Sequence, residues 1–185
     1  MTEREIKLRV GEGVLDEVRK RLHELDALRL LARHHEINLV LDDDQATFRT
    51  SRRLLRVRRY GDFVRCTYKG APTVTNGVKE RDEHEVTLQR GSDPDELLAL
   101  LAGLGFTPSL RYDKYRESWQ VEDHEVVLDQ TPIGDFLEIE GPTPHRWLAA
   151  LGIDQEPVED RSYPEIWSAM REHDPNLPRD LVFSS

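Results

Sequence analysis

The side chains best suited to chemistry in this chain are charged residues set two apart. Glu3, Glu5, Lys7 and Arg9 fall on one side of an N-terminal run whose other side holds Ile6, Leu8 and Val10, because side chains alternate along a strand. The pattern recurs. Arg56 and Arg58 share a face opposite Leu55 and Val57; Thr67 goes with Lys69, Arg81 with Glu83 and Glu85, Lys114 with Arg116, and Glu138 with Glu140. One such run reads as a half-buried strand with its polar face in water. Several of them, sorted into basic lines and acidic lines, read as the wall of a shared charged interior, since a solvated face usually mixes Lys, Thr, Gln and Ser.

About eight antiparallel strands can close on themselves and turn one face of each strand into a lumen. Glutamates converging there repel one another and call for a cation, and all-oxygen donors select hard ions such as Mg²⁺ or Mn²⁺. Arginine and lysine beside them suit phosphate, which arginine grips with two parallel hydrogen bonds. Metal, cations and room for a row of phosphates together mean a polyphosphate or a nucleoside triphosphate, and the partner expected is a triphosphate-containing small molecule.

The elements that must position these residues follow from caps and periodicity. Apolar alternation places strands at 2–10, 30–42, 54–60, 62–69, 79–90, 108–121, 124–131 and 135–141. Val14, Val18, Leu22 and Leu25 form the stripe of a helix over 13–27. Ser92 supplies a capping hydroxyl for a helix over 93–103, Thr143-Pro144 opens one over 144–151, and Ser162 with Glu165 has the spacing of a capping box for one over 163–172. The expectation is α+β: a closed antiparallel β-barrel with helices packed outside, in a single domain over 1–185. Gly70 to Gly77, rich in Gly, Pro, Thr and Asn, reads as a mobile loop.

Composition narrows the field. The 185 residues are 37 % hydrophobic and 34 % charged, enough for one core, with no apolar run near the length of a membrane span. A net charge of -10 argues against a nucleic-acid face. Acids near the start do not suit an export signal, and the single cysteine, Cys66, can form neither an internal disulfide nor a thiolate zinc site, so a cytoplasmic setting is expected. Adjacent His34 and His35 point to opposite faces of a strand and do not chelate together. There is no phosphate-cradling G-x-x-x-x-G-K-[ST] loop. Trp119, Trp147 and Trp167 read as core.

Nearly the whole chain resembles the CYTH superfamily, the triphosphate tunnel metalloenzymes. Glu3-Arg4-Glu5-Ile6-Lys7 is similar to its E-x-E-x-K signature, Leu55 to Arg58 to its L-R-x-R strand, and Thr67 to Lys69 to its T-x-K. Arg81 to Glu85 resembles R-x-E-x-E, Lys114 to Arg116 resembles K-x-R, and Asp129 with Glu138 and Glu140 resembles the late acidic strands. Asp160 to Tyr163 is similar to a late S-Y element. The resemblance implies Glu3, Glu5, Glu138 and Glu140 as metal ligands, with Asp129 and Glu85, or Glu83, at a second metal. It implies Lys7, Arg56, Arg58, Lys69 and Arg116 on phosphates, and Lys114, Glu85 and Asp129 as catalytic. Glu36-Ile37-Asn38 departs from the acidic and aromatic pattern of many members, which leaves the non-phosphate end of the substrate unspecified.

Three functions use such a tunnel. Hydrolysis of an inorganic, thiamine or nucleoside triphosphate demands least. Class IV adenylyl cyclisation of ATP needs an adenine pocket as well, and a binding module without turnover would be expected to lack a metal-ligand glutamate. No nucleic-acid or membrane partner is expected; a homodimer is compatible with the sequence, which fixes no oligomeric state.

Overall fold

The structure, a computed structural model, describes residues 2–184; Met1 and Ser185, the ends of the expected domain, lie outside the described residues. The described residues form nine strands: β1 (Thr2–Val10), β2 (Leu28–Asp42), β3 (Leu54–Tyr60), β4 (Phe63–Lys69), β5 (Thr73–Thr75), β6 (Val78–Thr87), β7 (Thr107–Val121), β8 (His124–Thr131) and β9 (Gly134–Glu140). Five helices accompany them: α1 (Val14–Glu24), α2 (Thr47–Thr50), α3 (Pro94–Gly103), α4 (Arg146–Ala150) and α5 (Tyr163–His173). The sheet runs β1-β9-β8-β7-β2-β3-β4-β6, and β6 pairs back onto β1. Eight antiparallel strands therefore close into a barrel, and β5 is an extra strand on the edge of β6.

Strand alternation explains both faces. Outward-facing Ile6, Leu8 and Val10 of β1 meet Leu15, Val18 and Leu22 of α1, together with Trp119, Val126, Leu128, Leu137 and Ile139 and with Trp147 of α4. A second cluster joins Leu41, Leu55, Val57 and Val64 to Leu97, Leu98 and Leu101 of α3 and Phe48 of α2. In the third, Tyr163, Ile166 and Trp167 of α5 pack on Val40, Leu54, Tyr112 and Phe136. Burying a large apolar side chain contributes on the order of 1.5–3 kcal/mol, so these clusters hold the wall while its inner face stays polar. All three tryptophans are core.

Several boundaries differ from the sequence expectation. The segment 70–77 is ordered into β5 and a turn, because Thr73-Val74-Thr75 is β-branched and Asn76-Gly77 takes two positive φ angles (51° and 77°). That is the type I′ geometry favoured between hairpin strands. The short α2 has no apolar stripe long enough to read; Asp42 and Asp43 create it by accepting the backbone N–H groups of Thr47, Phe48 and Arg49. Asp93, not Ser92, caps α3, accepting from Asp95 N. The strand expected to 90 ends at Thr87, α1 stops at Glu24, and α4 begins at Arg146. The Ser162–Glu165 capping box forms as expected.

Candidate active site

Because β1, β6 and β9 are neighbours, their inward residues meet side by side. Glu3 stands opposite Arg81 and Glu5 opposite Lys79 on β6, while Glu5 faces Glu140 and Lys7 faces Glu138 on β9. The barrel encloses a cavity of about 230 Å³ lined by nine Lys and Arg and eight Glu side chains. With Asp129 bonded to Lys114 and Arg116 behind that lining, cations and acids balance in the interior of a chain whose net charge is -10.

Carboxylate oxygens of Glu3, Glu5 and Glu140 all lie within 4.8 Å of one another. Glu125 of β8 is opposite Glu140 in register, so Glu5, Glu140 and Glu125 form a ladder of acids across three strands. Like charges directly opposite are unfavourable. Burial, followed by the charges of Glu5 and Glu3, pushes Glu140 up to about 8. An all-carboxylate donor set this close fits a hard divalent cation, which would relieve that repulsion. Arg81 Nε donates to Glu3 at 2.9 Å, Lys69 and Lys79 pair with Glu3 and Glu5, and Lys69 also reaches Glu83 at 3.0 Å.

A second network centres on Asp129. Lys114 Nζ donates to it at 2.8 Å, Arg116 grips it with two bonds of 2.6 and 2.8 Å, and the Tyr163 hydroxyl donates at 2.8 Å. Arg116 also reaches Glu138 at 2.6 Å. Burial alone would raise Glu138, but Arg116, Lys114, Lys7 and Lys79 hold its carboxyl well below the usual range. Tyr163 is delivered by the first turn of α5, whose capping box fixes the entry of that helix.

The third network lies on β2, β3, β4 and β6. Arg58 donates to Glu36 at 3.2 Å and to Glu85 at 3.4 Å, and Thr67 donates to Glu85 at 3.1 Å. Glu36 is held well below its ordinary value because Lys114, His34, Arg58 and Arg116 outweigh its burial. Arg56 donates to the Tyr112 hydroxyl at 3.1 Å, and the Nε groups of Arg56 and Arg58 have no hydrogen-bond partner among the described residues. Buried cationic donors left open in this way suit the oxygens of an anion. Lys7 donates to the Arg161 carbonyl and lies 4.7 Å from the Tyr163 ring centroid; burial, then Lys79, bring it down to about 8.

The expected residues are thus inside the barrel, distributed over three networks. Glu3, Glu5 and Glu140 gather into one acidic group; Glu138 lies beside it but is engaged by Arg116. Asp129 and Glu85 sit in separate networks and form no second acidic group among the described residues. His34 bonds to Glu36, whereas His35 approaches Asp113, so the two diverge. Glu36, Lys79, Tyr112 and Glu125 join the lining without having been singled out as site residues. Lys79, Tyr112 and Glu125 share strand parity with a residue that was, whereas no site residue was named on β2 to set the face of Glu36.

Among solved structures, the PH1819 protein of Pyrococcus horikoshii OT3 is 28 % identical, with a TM-score of 0.76 over 91 % of this chain and 99 % of that one. A candidate adenylate cyclase from Vibrio parahaemolyticus superposes with a TM-score of 0.75 at 19 % identity, covering 91 % and 98 %. A candidate adenylyl cyclase from Hippeastrum, described as having a dominant triphosphatase activity, gives 0.68 at 20 % identity, covering 91 % and 96 %. No curated protein sequence matches this chain. The CYTH domain model matches residues 1–154, and with a closed eight-stranded barrel built around the acidic and basic lines described above, this chain belongs to the CYTH family.

Proposed function

We propose that the protein hydrolyses a triphosphate to diphosphate and orthophosphate with the help of Mg²⁺ or Mn²⁺. The observation that carries this reading is the meeting of Glu3, Glu5 and Glu140 in a tunnel that also brings nine lysine and arginine side chains to its wall. A divalent cation held by these three carboxylates would draw charge from the phosphoryl oxygens and make phosphorus easier to attack. Arg56 and Arg58 grip phosphate oxygens from one wall, Lys7, Lys69 and Arg116 from the others, and hold the chain in line for displacement.

Lys114 is the candidate for stabilising the charge that develops during attack, because Asp129 fixes its ammonium at 2.8 Å and it is fully buried. Asp129 and Glu85 stand in ion pairs with lysine or arginine, so in this reading they position Lys114, Arg116 and Arg58. The triphosphatase activity ascribed to the Hippeastrum protein supports hydrolysis over cyclisation.

The experiment is incubation of purified protein with tripolyphosphate, ATP and thiamine triphosphate plus Mg²⁺ or Mn²⁺, resolving orthophosphate, pyrophosphate and cyclic AMP. Orthophosphate release is the expected result. Cyclic AMP with pyrophosphate would replace the reading with the cyclase, and binding without turnover would replace it with a binding module.

A further inference from the structure

Beyond one end of the tunnel lies a second cavity of about 280 Å³, which shares Leu54, Lys79, Arg81, Ser162 and Pro164 with the first. Its walls are of a different kind. Phe48, Leu54, Leu110 and Trp167 give it apolar surface, and Arg49, Arg53 and Arg171 stand around it. A bare polyphosphate gains nothing from such walls, whereas a flat ring carried on a phosphate chain does, by burial and by stacking on aromatic and guanidinium planes.

The charge of this cavity decides which ring. Its three acids are already engaged. Asp42 accepts the backbone N–H groups of Asp43, Phe48 and Arg49, and Asp43 accepts those of Gln45 and Thr47. Glu165 is taken up by the Ser162 cap and by Arg52. Arg49 and Arg171 have no acidic partner among the described residues, and Arg53 lies 4.7 Å from the centroid of the Phe48 ring. A positively charged thiazolium ring would meet uncompensated arginines; a neutral nucleobase would stack on them.

The two ends of the tunnel also differ. The opposite mouth is bordered by Glu3, Glu83, Glu85, Glu125 and Glu140. An anionic chain anchored in the arginine-rich cavity would run its terminal phosphate toward Glu3, Glu5 and Glu140. We infer that this cavity is a nucleobase subsite, so that the preferred substrate is a nucleoside triphosphate bound base-outward at the α5 end with its terminal phosphate toward the acidic group. This inference rests on the tunnel holding a triphosphate, as proposed above.

The test is calorimetric titration with Mg²⁺ and the bridging-imido analogues of tripolyphosphate and ATP, with ADP and thiamine diphosphate comparing headgroups. The ATP analogue should bind roughly tenfold more tightly than imidotriphosphate, as expected for one stacked base, and ADP more tightly than thiamine diphosphate. Ser168→Trp, which fills the cavity from α5, should bring the two imido ligands to equal affinity. Arg49→Glu with Arg171→Glu, both exposed, should weaken the ATP analogue more than imidotriphosphate and serves if Ser168→Trp fails to fold. Imidotriphosphate binding as tightly as the ATP analogue, or thiamine diphosphate as tightly as ADP, overturns the subsite while leaving the tunnel reading intact. Absence of imidotriphosphate and ATP-analogue binding alike removes both.

Discussion

At the scale of single residues, the tunnel's cations have two jobs that measurement can separate. Arg56 and Arg58 hold phosphate through charge-assisted hydrogen bonds worth about 1.5–3 kcal/mol each, so replacing either by Ala should weaken triphosphate binding by roughly ten- to a hundredfold. Lys114→Ala should instead lower kcat more than it weakens binding, because an interaction that strengthens in the transition state has that signature. A raised KM at constant kcat would make Lys114 one more phosphate clamp. Glu140 offers a test by pH. Its folded value, about 8, lies above its ordinary 4.5, so between those limits the folded state holds more protons than the unfolded one. Metal-free stability must then fall as pH rises from 4.5 through 8. Melting temperatures in chelator should show this decline, and Glu140→Gln should flatten it; an unchanged slope would show that Glu140 is not the strained carboxylate.

At the scale of elements, how well each part of the site can be read depends on how regular its element is. Glu3, Glu5, Lys7, Arg56 and Arg58 lie on strands whose outward residues alternate cleanly, and period two alone assigns them inward. Lys79 lies just past the Asn76-Gly77 turn, where a glycine- and proline-rich stretch hides the hairpin. Glu125 is brought to Glu140 by strand register, which depends on the β8–β9 turn and cannot be seen along one strand. The three-network arrangement of acids and bases is likewise a product of closure, since it joins residues from up to five strands. Tyr163 depends on a helix cap: Ser162 accepts from Glu165 N and the Glu165 carboxylate accepts back. Ser162→Ala should cost about 1 kcal/mol of stability and, by loosening the turn that delivers Tyr163 to Asp129, weaken triphosphate binding as well. Urea denaturation with parallel titrations checks both; lost stability with unchanged affinity would mean the cap does not position the site.

At the scale of the whole molecule, the barrel resolves an apparent conflict between a net charge of -10 and an anionic ligand. The average surface is acidic, while closure collects lysine and arginine into the interior and leaves three glutamates there for a cation. Ligands that bind only the closed barrel should stabilise it by mass action, by about 2.7 kcal/mol at a hundred times Kd. Tripolyphosphate with Mg²⁺ should therefore raise the melting temperature more than either alone, since each offsets the charge the other leaves. Equal shifts with Mg²⁺ present or absent would separate phosphate binding from the acidic group.

The central claim, that Glu3, Glu5 and Glu140 hold a cation on which phosphate release depends, is tested most directly by following orthophosphate from tripolyphosphate during chelation and metal replacement. Exhaustive chelation should abolish release, added Mg²⁺ or Mn²⁺ should restore it, and Glu140→Gln should demand a higher metal concentration for the same rate. Full release in excess chelator, or a metal requirement unaltered by Glu140→Gln, would contradict it.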